Sequence, residues 1–255
     1  MLALAAVTLV VCAPGSPGST AEAQPAMDAL AASLARSAQL PAGGIAAVYE
    51  ETEAGCLRRL GQKDAALVLA TLPFFLAHEQ DLKFAPHLSA MPQGGEASER
   101  WTLVAGKDHP PSLDGFKVQS GAGYSKRFVR AMAPKLPRTV EIEPLAAVLS
   151  ALRKAADGEK VAVLLDGAQS ASMSTLPFAS SLSVLDQSPP VPVALVATVS
   201  KRIDEQRWKD MEAAFLRLAE DKTARTALDG VRMAGFVPID EKALSAARAA
   251  YRHAK

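Results

Sequence analysis

The stretch Val7-Thr8-Leu9-Val10-Val11, followed by Pro14-Gly15-Ser16-Pro17-Gly18 and Ser19-Thr20-Ala21-Glu22, decides the fold. Its apolar, β-branched run predicts a buried strand. The Pro/Gly segment predicts a turn. Ser19 suits a helix N-cap, and Glu22 three residues on completes a capping box, so a helix is expected through the Ala/Leu pattern that ends near Ala38. A helix that starts at the end of a buried strand aims unpaired backbone N–H groups outward, a geometry suited to a polar or anionic ligand. Ser16, Ser19 and Thr20 are the side chains of this loop able to reach one. The same residues also fit the apolar region of a signal peptide cleaved at Ala21-Glu22-Ala23. Two features favour the strand: no Lys or Arg precedes Arg36, and cleavage there would split the capping box.

Composition narrows the function classes. With 49% hydrophobic residues among 255, the chain can bury a large core and is long enough for two lobes. A net charge of +1 leaves no basic field to hold nucleic acid or an anionic membrane surface. The two cysteines, Cys12 and Cys56, read as buried thiols, and a disulfide would need an oxidising compartment and adjacent Cβ atoms. No Cys/His spacing suits a metal, and His78-Glu79 lacks the second His of a zinc-protease motif. No Ser/His/Asp or Cys/His set can be assembled from the spacings, so no catalytic residue is expected. No cofactor is implied.

Strand and helix patterns alternate. Ile45–Tyr49 and Ala65–Leu69 read as strands; Thr52–Leu60 and Leu72–His78 read as helices. Phe84–Ala90 and Trp101–Ala105 read as further strands around a Gly94-Gly95 turn. Asp108-His109-Pro110-Pro111 breaks the pattern. A second series follows: strands at 116–119, 139–142, 161–165 and 182–185, with helices at 124–132 and 145–156. Ser188-Pro189-Pro190 marks a second break before a strand at 193–199. The remainder reads as helices at 204–218, 222–228 and 241–251, interrupted by Gly235-Phe236-Val237-Pro238. Repeated βα units predict mostly parallel sheets flanked by helices. The breaks predict lobe one over 1–106 and 192–255 and lobe two over 107–191. Ligands of such folds sit beyond the carboxyl ends of strands, here in a cleft between lobes.

That rule selects the candidate residues. Tyr49 ends a strand and could stack on or hydrogen-bond a ligand. Ser120, Gly121, Gly123, Tyr124 and Ser125 form a strand-to-helix turn with backbone N–H groups and hydroxyls. Asp166 ends an apolar strand. It caps a short helix over 167–173 or it lines the cleft; in the cleft it disfavours a fully anionic ligand and pairs with an amine. Gln169 would then add a neutral hydrogen bond. Lys126, Arg127 and the segment Lys201–Lys209 read as solvated helix faces.

The stretch Ser174-Thr175-Leu176-Pro177-Phe178 through Ser188-Pro189-Pro190-Val191-Pro192, the tail Leu228-Asp229-Gly230-Val231-Arg232-Met233-Ala234-Gly235-Phe236-Val237-Pro238, Tyr49 and Lys63-Asp64-Ala65-Ala66 carry a resemblance. With these, the chain resembles the phosphate/phosphonate-type solute-binding proteins of ABC transporters, over nearly its whole length. The resemblance implies a two-lobed type II periplasmic-binding-protein fold, a helix pair joined through a Gly-Phe turn at the tail, and capture of a small anionic or zwitterionic, phosphonate-like ligand. It also implies a monomer in the periplasm or at the envelope, working with a transporter permease or a sensor protein. Ser120-Gly121-Ala122-Gly123-Tyr124-Ser125 carries fewer hydroxyls than the family's lobe-two turn, which leaves the ligand open; the alternatives are a sensor or protein-interaction role without transport and an enzyme on the same fold.

Overall fold

A computed structural model describes residues 7–16 and 18–254. Pro17 of the first loop, and residues 1–6 that the signal-peptide reading includes, lie outside the described residues. The elements run β1 (Val7–Cys12), α1 (Thr20–Ser37), β2 (Ile45–Glu50), α2 (Glu53–Leu60), β3 (Ala65–Thr71), α3 (Leu72–His78), β4 (Phe84–Pro92), β5 (Ser98–Glu99) and β6 (Thr102–Gly106). They continue with β7 (Lys117–Ser120), α4 (Lys126–Met132), β8 (Glu141–Pro144), α5 (Val148–Ala156), β9 (Val161–Leu165), α6 (Gly167–Met173), β10 (Leu182–Gln187), β11 (Val191–Pro192) and β12 (Ala194–Val199). The tail is α7 (Glu205–Arg217), α8 (Lys222–Gly230), β13 (Met233–Pro238) and α9 (Glu241–His253).

The chain divides into two compact units, Met1–Ser98 with Pro192–Asp240, and Glu99–Val191 with Glu241–Lys255. The first holds a six-stranded sheet in the order β13-β4-β12-β3-β1-β2. β1 lies inside it, parallel to both β2 and β3, and every one of its residues is buried. That is where an unbroken β-branched run belongs. Leu30 and Leu34 of α1, Leu67 and Leu69 of β3, Val196 of β12, and Phe215 and Phe236 fill its core. Arg202, in a segment read as a solvated face, instead donates to the carbonyls of Leu60, Gln62 and Ala65 at 2.7, 2.8 and 2.9 Å.

The second unit holds a five-stranded sheet, β10-β6-β9-β7-β8. Val104, Leu152, Val163 and Leu165 pack on one another. The Trp101 ring meets Phe128 edge-on at 5.0 Å. The expected parallel pairing holds at β2-β1-β3 and at β9-β7-β8. The pairings of β12 with β3 and β4, β13 with β4, and β6 with β9 and β10 are antiparallel.

Four further sequence expectations change. β6, expected in lobe one, hydrogen-bonds between β10 and β9 in the second unit. α9, also expected in lobe one, belongs to the second unit, where Ala243, Leu244 and Ala247 are buried. Arg127 anchors it by donating to the Tyr251 and Arg252 carbonyls at 2.7 and 2.8 Å. A guanidinium satisfies otherwise orphan carbonyls at a helix end, so Arg127 is an anchor and not a solvated charge. The supposed Gly-Phe turn is β13, an edge strand on β4, and Gly235 and Pro238 are tolerated because an edge leaves one backbone side unpaired.

Candidate functional site

At the carboxyl edge of β9, backbone register gathers three segments of the second unit. Thr102 of β6 lies opposite Leu165, and Ser120 of β7 lies opposite Leu164. Glu99–Thr102, the turn Ser120–Ser125 and Asp166–Ser170 therefore share one sheet edge.

Asp166 is the N-cap of α6. Its Oδ1 accepts from the Gln169 N–H at 2.8 Å, while Gln169 Oε1 accepts from the Asp166 N–H at 3.2 Å. This reciprocal box is the capping reading of Asp166, and it uses the Gln169 side chain too. Burial raises the Asp166 carboxyl above its ordinary value, against the pull of the Gln169 and Ala168 N–H groups.

Glu99, which sequence reasoning missed, is the second carboxylate. Its Oε2 accepts from the Gly167 N–H at 2.8 Å. Gly167 permits that approach, because a Cβ there would stand 2.8 Å from the Cβ of Glu99. Burial raises Glu99, Asp166 nearby adds to the rise, and the hydrogen bond from Gly167 and the nearby Trp101 side chain oppose it; the carboxyl ends at about 7. Among the described residues neither carboxylate forms an ion pair. Neutral groups complete the edge: Ser170 Oγ and Gln187 Nε2 donate to Thr102 Oγ1 at 3.1 and 3.3 Å.

The turn after β7 is built around Ser120, whose hydroxyl donates to the Leu164 carbonyl at 3.0 Å and accepts from the Ala122 N–H at 3.2 Å. Ser120 is fully buried and occupied as a turn former, and Ser125 is buried as well. Gly123 presses against the end of β8, while Gly121 and Tyr124 are half-buried.

The first unit fills its expected anion position from within. Ser19 caps α1: its hydroxyl accepts from the Glu22 N–H at 3.3 Å, and the Ser19 N–H donates to Glu22 Oε2 at 2.9 Å. Hydrogen bonds from Ser19 hold the Glu22 carboxyl below its ordinary value. The Thr20 N–H donates to Glu51 Oε2 at 3.0 Å. Two carboxylates of the chain thus occupy the positive end of the helix. Ser16 is exposed beside them. Tyr49 is 9% exposed and packs in the core. The alternation Ile45, Ala47, Tyr49 turns one face of β2 inward, so Tyr49 faces apolar neighbours. Replacing Ser19 with Ala is expected to cost about 0.5–2 kcal/mol of stability, read as a lower urea midpoint with unchanged slope.

Among the described residues no group of three His, Cys, Asp or Glu side chains is placed to hold a metal ion, and no helix is long and apolar enough to cross a membrane.

No protein-family model and no curated protein matches the chain. Solved structures do. XAC2383 from Xanthomonas citri, described bound to chloride ion and bound to ATP, superposes with a TM-score of 0.73 at 16% identity in both forms; the chloride form covers 97% of this chain and 98% of its own. A binding protein component of an ABC phosphonate transporter from Pseudomonas aeruginosa superposes with 0.64 at 12% identity, covering 94% of this chain and 83% of its own. PhnD1 from Prochlorococcus marinus, in complex with methylphosphonate, gives 0.63 at 11% identity and covers 97% of each chain. The chain has the mixed α/β fold of periplasmic-binding-protein-like proteins.

Proposed function

We propose that the chain is a solute-binding protein for a small zwitterion, which it delivers to an ABC-transporter permease at the envelope or in the periplasm. The ammonium group goes to Glu99 and Asp166 at the carboxyl edge of β9. The anionic group goes to the neighbouring turn at Gly121–Ser125. The observation that carries this reading is the pair Glu99 and Asp166. Burial penalises the charge of both, and among the described residues neither has a cationic partner. A ligand ammonium would supply the missing countercharge. The carboxylates on the α1 N-terminus support the same reading, because a plain anion would have to displace Glu51 from the Thr20 N–H. The fold adds support, since two of its likenesses are phosphonate-binding proteins.

A thermal-shift screen at pH 8 tests it, comparing phosphate, methylphosphonate, aminoalkylphosphonates and amino acids. A zwitterion at 100 times its dissociation constant is expected to add about 2.7 kcal/mol of stability, a rise of roughly 5–10 °C. Asp166→Asn, which can keep the cap on Gln169, should shrink that rise. A screen in which phosphate or methylphosphonate shifts the melting point more than their amine-bearing counterparts would overturn the reading.

A further inference from the structure

Cys12 and Cys56 lie on different elements, and those elements meet at one backbone carbonyl, that of Glu50. Cys12 is the last residue of β1 and pairs in register with Glu50 of β2. The next N–H, of Ala13, donates to the Glu50 carbonyl at 3.2 Å. The Cys56 thiol, from the first turns of α2, approaches that same carbonyl at 3.6 Å. Both residues are fully buried. Burial, the neighbouring Cys56 side chain and the charge on Glu50 together push Cys12 well above the ordinary thiol range.

We propose that Cys12 and Cys56 are a disulfide pair, which closes when the chain folds in an oxidising compartment and staples the carboxyl end of β1 to α2. Two thiols become one S–S bond and release two protons and two electrons. The electrons go to a second disulfide, either a small molecule of the glutathione class or a dithiol–disulfide oxidoreductase, which leaves as two thiols. Inside the folded unit burial shields both sulfurs and keeps the Cys12 thiol protonated, and a protonated thiol is a poor nucleophile. Closure therefore belongs to folding, and a closed bond would resist reductant in the native protein. The bond closes a loop of about 44 residues, which restricts the unfolded chain.

The test is a thiol count on the full chain refolded in a mixture of reduced and oxidised glutathione. The protein is unfolded in denaturant, labelled with a maleimide and weighed. The expected result is no adduct before reduction, two after it, and a proteolytic fragment in which Cys12 and Cys56 are joined. Reduction in denaturant followed by refolding in dithiothreitol should lower the melting temperature by about 5–10 °C. The Cys12→Ala, Cys56→Ala double variant should show no such difference. Two adducts on unreduced protein, or a bond joining two copies of the chain, would overturn the proposal. The mass count decides even if the double variant fails to fold.

Discussion

Glu99→Gln is expected to stabilise the unligated protein by about 3 kcal/mol at pH 8 and by almost nothing at pH 4. The sign follows from the direction of the shift. The Glu99 carboxyl rises from an ordinary 4.5 to about 7 on folding. Between those values the folded chain holds a proton that the unfolded chain has lost, so stability falls as pH rises through this window. Each pH unit across it costs about 1.4 kcal/mol. Above pH 7 both states are ionised, and the full cost of a buried, uncompensated carboxylate remains. Gln keeps the shape and offers an oxygen to the Gly167 N–H, but it carries no charge. The variant's melting temperature at pH 8 should therefore stand roughly 5–10 °C above that of the parent, with the curves converging near pH 4. Parallel curves would mean that Glu99 ionises without cost. Gain of stability with loss of ligand binding is the usual mark of a strained site.

Gly123→Ala should be strongly destabilising, by about 2–3 kcal/mol. A Cβ at this position would collide with the Glu143 carbonyl oxygen and stand 2.5 Å from its carbon and 2.7 Å from the Pro144 Cα. All three are backbone atoms of β8, whose parallel pairing with β7 holds them. No flexible side chain can yield, so the turn before α4 must move away from the sheet edge. A lower urea midpoint and a matching loss of ligand-induced stabilisation are expected. An unchanged midpoint would show that the turn is pliable and does not position the site.

The start of the chain was legible because its signals are local. A β-branched run, a Gly/Pro turn and Ser19 with Glu22 are read within sixteen residues, and β1 and α1 follow them closely. The parallel units were legible from their unbroken apolar strands. The placement of α9 was not, because Ala243, Leu244 and Ala247 announce a buried face without saying what buries it. The answer lies in Arg127, far back in the chain, which reaches the carbonyls of Tyr251 and Arg252. β13 was hidden because Gly235 and Pro238 read as breakers, and only an edge position accommodates them.

The candidate site was half legible. The strand-end rule located Asp166, Gln169 and the Ser120–Ser125 turn, and the register of β7 with β9 brings them to one edge. The rule overstated Tyr49, whose alternation with Ile45 and Ala47 carries it inward, and Ser120, whose hydroxyl serves its own turn. Glu99 escaped notice because it lies in a polar run before Trp101, with no local pattern to single it out. The only sequence signal was Gly167 directly after Asp166. A glycine there marks a close approach, but the partner is set by tertiary structure.

Calorimetric titration at pH 8 with methylphosphonate and aminomethylphosphonate, which differ by the amine alone, tests the central claim most directly. The amine-bearing ligand is expected to bind at least about tenfold tighter, an advantage of about 1.4 kcal/mol, and Glu99→Gln should erase that advantage. Equal or tighter binding of methylphosphonate to the parent protein would contradict a site built around an ammonium group.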